Sequence, residues 1–87
     1  MDPAVETFEL HERVVISPSG GRVALPPVAT RAVEGEFVLS GESVATVKVG
    51  AAEIPVRTAF RGWLMGFMVL DGQPVRSGEP VAWLRKA

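Results

Sequence analysis

The predicted fold centres on a β-hairpin, Val47-Lys48-Val49-Gly50-Ala51-Ala52-Glu53-Ile54-Pro55-Val56, in which a Gly-Ala-Ala turn joins two runs rich in Val and Ile. β-Branched residues favour strands, and glycine favours the tight turn between them. Two similar segments flank the turn, residues 34–47 before it and residues 71–84 after it. They align without a gap at an offset of 37 residues, and seven of fourteen positions are identical. A repeat of only two copies predicts one domain with internal two-fold pseudo-symmetry.

The composition allows one small domain and excludes several functions. The chain has 87 residues, 9 Lys and Arg, 10 Asp and Glu, and no Cys. Because no basic cluster occurs, we expect no binding to nucleic acid or to a membrane surface, and the absence of Cys rules out disulfides and thiolate chemistry. The first residues lack the basic and apolar regions of a signal peptide, and no apolar run is long enough to cross a bilayer. We therefore expect a cytoplasmic protein.

Short predicted strands separated by turn residues follow one another along the chain. We expect a flexible N-terminal lead at residues 1–7 and a single domain at residues 8–87. Strands are predicted at residues 8–16, 22–25, 44–49, 53–60 and 63–70, with a loop or irregular strand at 28–33 and the apolar residues 37–39 between two turn signals. No segment has the apolar periodicity of a helix across several turns. The recurring short strands predict an all-β sandwich or barrel.

Three turn motifs resemble those of the biotinyl/lipoyl attachment domain family, and the resemblance extends over residues 14–84. The segments Ser17-Pro18-Ser19-Gly20-Gly21 and Thr58-Ala59-Phe60-Arg61-Gly62 resemble the two Ala-Pro-x-x-Gly turns of the family. Residues 34–42 and 71–81 resemble its Gly-Asp-x-Val-x-x-Gly-Asp segments. The resemblance implies a barrel-sandwich hybrid, a flattened barrel of two four-strand halves, with Val residues such as Val75 in a small shared core.

The resemblance also implies where a prosthetic group would be attached. In the family, a lysine at the hairpin tip carries biotin or lipoate, eleven residues before the glycine of the second turn. Counting back from Gly62 gives Ala51, and the neighbouring Gly50 and Ala52 also lack an amine. We therefore expect a vacant attachment hairpin and no prosthetic group. The alternative is a biotin or lipoyl carrier modified at Lys48. Modification there would require a three-residue shift of the tip, which would unbalance the hairpin, so we prefer to interpret Lys48 as a solvated strand lysine.

Few other residues offer chemistry. His11 is the only histidine, and an exposed strand residue is preferred over a phosphohistidine carrier. Glu34, Glu36 and Glu42 lie in predicted turns, where they are expected to contact solvent or backbone amides rather than a metal. No Ser-His-acid set, phosphate-binding loop or paired carboxylates occur. The sequence predicts neither an enzyme nor a metal site.

The strand predicted at residues 63–70 is apolar on both faces. Alternation would place Trp63, Met65 and Phe67 on one face, and Leu64 and Met68 on the other. Two interpretations remain open: an exposed apolar surface that binds a protein, or a bulged strand whose side chains all reach the core. The candidate interface residues are Trp63, Met65, Leu70 and Trp83. We expect a non-enzymatic, carrier-like module that binds a protein partner or a second copy, with an acyl- or carboxyl-transfer enzyme as one candidate partner.

Overall fold

A computed structural model describes residues 12–26 and 36–87 of the chain, and these residues form eight strands. In chain order the strands are β1 (Glu12–Ile16), β2 (Gly21–Ala24), β3 (Glu36–Val38), β4 (Ser43–Val49), β5 (Ala52–Arg57), β6 (Gly62–Phe67), β7 (Pro74–Val75) and β8 (Pro80–Lys86). They form two antiparallel four-stranded sheets, with the orders β1-β8-β6-β3 and β5-β4-β2-β7. The predicted all-β barrel-sandwich fold is confirmed.

Some of the sequence-based expectations lie outside the described residues. They are the N-terminal lead at residues 1–7, the start of the first predicted strand, the loop at 28–33, and the side chains of His11 and Glu34. In the part of the chain that the structure describes, no helix is long and apolar enough to cross a membrane.

The two sheets have the pseudo-symmetry that the sequence repeat predicts. The strands β4 and β8 belong to the two repeat copies, and their burial patterns are identical from end to end. In order across each sheet, β1, β8, β6 and β3 correspond to β5, β4, β2 and β7. The turn before β2 also matches the turn before β6, because the buried hydroxyls of Ser17 and Thr58 each donate a 2.6 Å hydrogen bond to the carbonyl oxygen two residues later. Each strand in one half therefore has an equivalent in the other.

The core between the sheets consists mainly of branched aliphatic side chains. β-Branched residues suit a pleated surface, and two opposed sheets leave room for a single layer of side chains from each. Val75, expected in the core from the sequence, is buried. The other large buried side chains are Val15, Val23, Val38, Val44, Val47, Val56, Leu64, Val69, Val81 and Leu84.

Two equivalent glycines allow neighbouring strands to approach closely. A Cβ atom added to Gly21 would lie 2.5 Å from the carbonyl oxygen of Lys48 in β4. A Cβ atom added to Gly62 would overlap the carbonyl oxygen of Arg85 in β8, which is the equivalent of Lys48. Both glycines are therefore required by the packing of one backbone against another.

Candidate functional site

The hairpin between β4 and β5 ends in a two-residue turn made of Gly50 and Ala51. Val49 pairs with Ala52 at the base of this turn. Gly50 has a φ of 59°, and Ala51, like every described non-glycine residue, has a negative φ. A positive φ followed by a negative one is the pattern of a type II′ turn. Ala51, the position at which the resemblance expects the attachment lysine, is exposed at the tip. Its methyl side chain has no nucleophilic atom to which biotin or lipoate can be joined.

Lys48, the alternative attachment residue, lies within β4 and faces Glu53 across the hairpin. Its Nζ atom is 4.0 Å from Oε1 of Glu53, and the two side chains are 57% and 64% exposed. The equivalent positions in the other sheet are Arg85 and Glu12, which also pair across neighbouring strands. A basic residue thus faces a glutamate at the same fold positions in both halves. This recurrence indicates that Lys48 is one member of a solvated cross-strand charge pair.

The outer surface of the sheet β1-β8-β6-β3 is unusually rich in apolar side chains. Val14 of β1 pairs with Trp83 of β8, and Trp83 pairs with Gly66 of β6. In a neighbouring row, Trp63 of β6 pairs with Phe37 of β3. Paired residues point to the same side of a sheet, so these side chains share one surface. We call this surface the apolar face; it comprises Val14, Phe37, Trp63 and Trp83, together with Phe60 and Met68, which line the groove described below.

The apolar face has an aromatic ridge made of Phe37 and Trp63. Their ring centroids are 5.3 Å apart with an interplanar angle of 78°, which is an edge-to-face contact. Both side chains remain about two-fifths exposed, at 42% and 41%. The ridge therefore presents two ordered aromatic rings to solvent, on the β6 and β3 side of the sheet.

A groove of about 490 Å³ lies beside this ridge, on the β1 and β8 side of the sheet. Trp83 forms part of its wall, and its indole lies beside Gly66, where an added Cβ atom would be an ordinary 3.5 Å from Nε1. Arg13 lies over the ring of Phe60, with 5.5 Å between the guanidinium carbon and the ring centroid. The residues that line the groove are Glu12, Arg13, Val14, Phe60, Met68 and Trp83.

The equivalent outer surface of the other sheet is not apolar. Arg22 and Thr46 occupy the positions that correspond to Trp63 and Trp83. Arg22 donates a hydrogen bond of 3.1 Å to the carbonyl oxygen of Gly72, and Thr46 donates one of 3.4 Å to that of Ala24. The fold therefore accommodates polar residues at these positions in one of its two halves.

The strand that was expected to be apolar on both faces is interrupted by a bulge. The register of β6 against β8 shifts between Leu64 and Gly66, so Met65 lies at the bulge and is half-buried. The expected placement of Phe67 on the same face as Trp63 is therefore wrong, because the inserted residue reverses the alternation and Phe67 packs against the core. Met68 is exposed and lines the groove. Both open interpretations hold in part: the strand is bulged, and exposed apolar side chains remain.

The structure brings together only part of the interface set expected from the sequence. Trp63 and Trp83 share the apolar face, whereas Leu70 lies in the turn before β7. Its backbone N–H donates a hydrogen bond to Oε1 of Gln73. Leu70 is 77% exposed, but it does not line the groove. Sequence reasoning missed Val14, Phe37, Phe60 and Met68. The sequence repeat aligns Trp83 with Thr46, and this change from a polar to an aromatic residue is the feature that could have indicated the apolar face.

Metal ligands and family relationships add little to this description. Among residues 12–26 and 36–87, no group of three His, Asp or Glu side chains is placed to hold a metal ion. No family model matches the chain, and no curated protein sequence does so.

Solved structures, in contrast, resemble the chain over most of its length. A single-chain, multi-domain long-chain acyl-CoA carboxylase matches 88% of this chain with a TM-score of 0.71 and 17% identity. The urea carboxylase of Kluyveromyces lactis matches 84% of it with a TM-score of 0.71 and 23% identity. This chain covers only 7% and 6% of those two proteins. At such identities the likeness establishes the fold, and the chain therefore has the fold of a short portion of these two carboxylases.

Proposed function

We propose that this chain is a non-enzymatic, carrier-like domain that lacks a prosthetic group and binds a protein through the apolar face. The observation that carries the proposal is the contrast between the two outer surfaces. Equivalent positions hold Arg22 and Thr46 on one sheet and Trp63 and Trp83 on the other. Tryptophan, phenylalanine and methionine are the side chains enriched in protein interfaces, and exposing them in one patch has a cost in solubility that binding a partner removes.

The size of the apolar face suits a protein contact. Five of its six side chains, all except the half-buried Trp83, are 39% to 51% exposed. Together they offer on the order of 500 Å² of apolar surface, which is at the upper end of the largest patch on an ordinary monomer. The two tryptophans and the edge-to-face ridge supply rigid anchors of the kind that dominate binding energy in interfaces.

The hairpin supports the absence of a prosthetic group. Ala51 stands at the tip, and Lys48 forms an ion pair with Glu53 at positions where the other half places Arg85 across from Glu12. The likeness to portions of an acyl-CoA carboxylase and a urea carboxylase suggests the class of partner. We therefore propose an acyl- or carboxyl-transfer enzyme as the protein that the domain binds, by analogy of fold.

Affinity capture from the native host tests this function. The chain is compared with the double variant Trp63→Arg, Trp83→Thr, which installs the residues of the equivalent positions in the other sheet. The matched control is Arg22→Ala, Thr46→Ala, which changes two residues on the opposite surface. We expect mass spectrometry to identify an acyl- or carboxyl-transfer enzyme with the wild type and the control, and at least tenfold less of it with the apolar-face variant. Equal recovery with all three chains would refute the proposal.

The alternative function is a swinging-arm carrier modified at Lys48. The exposure of this side chain near the hairpin tip is the observation in its favour. Intact-mass spectrometry of the chain purified from its host separates the two functions, with Lys48→Arg as the control. We expect the unmodified mass for both chains. A biotin or lipoyl increment that is present in the wild type and lost in the variant would establish the carrier and overturn the favoured proposal.

A further inference from the structure

We infer that the apolar face binds a second copy of this chain, with the two β1-β8-β6-β3 sheets packed face to face. This inference rests on the proposed function because it uses the same apolar face, which a second copy occupies when the proposed enzyme partner is not bound. Three features of the apolar face carry it: the ridge and the groove lie side by side, few charged side chains border the face and they include both signs, and the available area matches that of a weak dimer.

The ridge and the groove make the face complementary to itself. Phe37 and Trp63 form the ridge over β3 and β6, and the groove lies over β1 and β8. A two-fold axis parallel to the strands places β1 and β8 of one copy opposite β3 and β6 of the other. Each ridge then faces the β1 and β8 side of the other copy, where the groove lies, and both contacts form at once. Aligned packing of two sheets is a common arrangement of such surfaces.

The charges on the face also suit a second copy. Glu12, Arg85 and Trp63 lie in one cross-strand row. The proposed axis keeps this row in register and places Arg85 of one copy opposite Trp63 of the other, where a guanidinium group stacks favourably on an indole. Glu12 offsets one of the two arginines that border the face, Arg13 and Arg85, and the chain has a net charge of only −1. Two copies therefore approach without the repulsion that a strongly charged face would cause.

The area of the face sets the expected strength of the dimer. If each copy contributes on the order of 500 Å², the dimer buries about 1,000 Å² in total, which is at the lower limit for a specific interface. We therefore expect dimerisation to be weak and reversible.

Sedimentation equilibrium of the full chain tests the inference, with tryptophan fluorescence as a second readout. Trp63 and Trp83 are the only tryptophans, and both lie on the apolar face. We expect the mass to rise from monomer to dimer between about 1 μM and 1 mM, and the emission maximum to shift to shorter wavelength over the same range. A wild-type chain that stays monomeric to about 1 mM overturns the inference, whatever the variants do.

Variants identify the surface involved. Trp63→Arg should weaken dimerisation at least tenfold, because it places an arginine opposite Arg85 of the other copy, whereas Arg22→Ala on the other sheet should leave it unchanged. Circular dichroism melts confirm that both variants fold. Dimerisation that Arg22→Ala weakens as much as Trp63→Arg does would overturn the inference. If the wild type stays monomeric while its enzyme partner is still captured through the apolar face, the second-copy inference fails and the proposed function stands.

Discussion

Replacing Gly62 by alanine tests the close approach of β6 to β8, the strands that carry Trp63 and Trp83. The added Cβ atom would overlap the carbonyl oxygen of Arg85 and lie 3.2 Å from the Cα atom of Lys86. Both contacts are with backbone, which can yield only by separating the strands. Overpacking of this kind costs about 1–3 kcal/mol. The lower entropy of the unfolded alanine chain offsets about 0.4–1 kcal/mol, so we expect a net loss of about 1–2 kcal/mol in the free energy of unfolding.

Thermal unfolding measured by circular dichroism checks this expectation. For a domain of this size, each kcal/mol corresponds to about 4–8 °C in Tm. Gly66→Ala is the matched control on the same strand, because its added Cβ atom would meet only Nε1 of Trp83, at an ordinary 3.5 Å. We expect that control to melt within about 2 °C of the wild type. The pseudo-symmetry adds a second condition, that Gly21→Ala destabilises as Gly62→Ala does. Unchanged melting of both Gly62→Ala and Gly21→Ala would refute the packing argument.

Three further substitutions test the core, the turns and the hairpin. Val75→Asp places a carboxylate at a buried core position, so the cooperative thermal transition should be lost; a normal melt would contradict the core assignment. Thr58→Val removes a buried hydroxyl that donates to the carbonyl oxygen of Phe60 and accepts from its N–H. It should lower the free energy of unfolding in urea by about 1–3 kcal/mol. Thr58→Ser keeps the hydroxyl and introduces the residue of the equivalent turn, so it should cost less. Lys48→Ala removes an exposed ion pair and should change the stability by less than about 1 kcal/mol in the same assay; a larger loss would show that the lysine has a structural role beyond that pair.

The sequence was sufficient to predict the architecture because the repeat constrains it. Two copies of one strand-and-turn pattern, at a fixed offset, require equivalent strands in equivalent places, and β4 and β8 have the same burial pattern in the structure. The tip of the hairpin was predictable for a local reason. Glycine between two β-rich runs favours a tight turn, and Gly50 has the positive φ that this turn needs. The predicted Gly-Ala-Ala turn is one residue too long, because Ala52 pairs with Val49 and begins β5.

The apolar face was only partly predictable, because it depends on contacts between residues distant in sequence. The bulge at Met65 decides which side chains of β6 point outwards, and a bulge depends on the pairing of β6 with β8. Phe60 reaches the groove from a turn, where it meets Arg13 of β1. Leu70 was expected at the interface from its apolar character, yet its position in the turn before β7 keeps it from the groove. Strand alternation gives no information about any of these placements.

The hairpin and the apolar face belong to different sheets, and this separation bears on how the two functions are to be distinguished. Lys48 and Ala51 lie on or beside β4, in the sheet β5-β4-β2-β7, whereas Trp63 and Trp83 lie on the outer surface of the other sheet. A partner that covers the apolar face therefore leaves the hairpin accessible. Binding and modification are then separable by mutation: changes at the tryptophans should alter binding without altering the intact mass, and Lys48→Arg should leave binding intact. A variant that affected both would mean that the partner extends across both sheets.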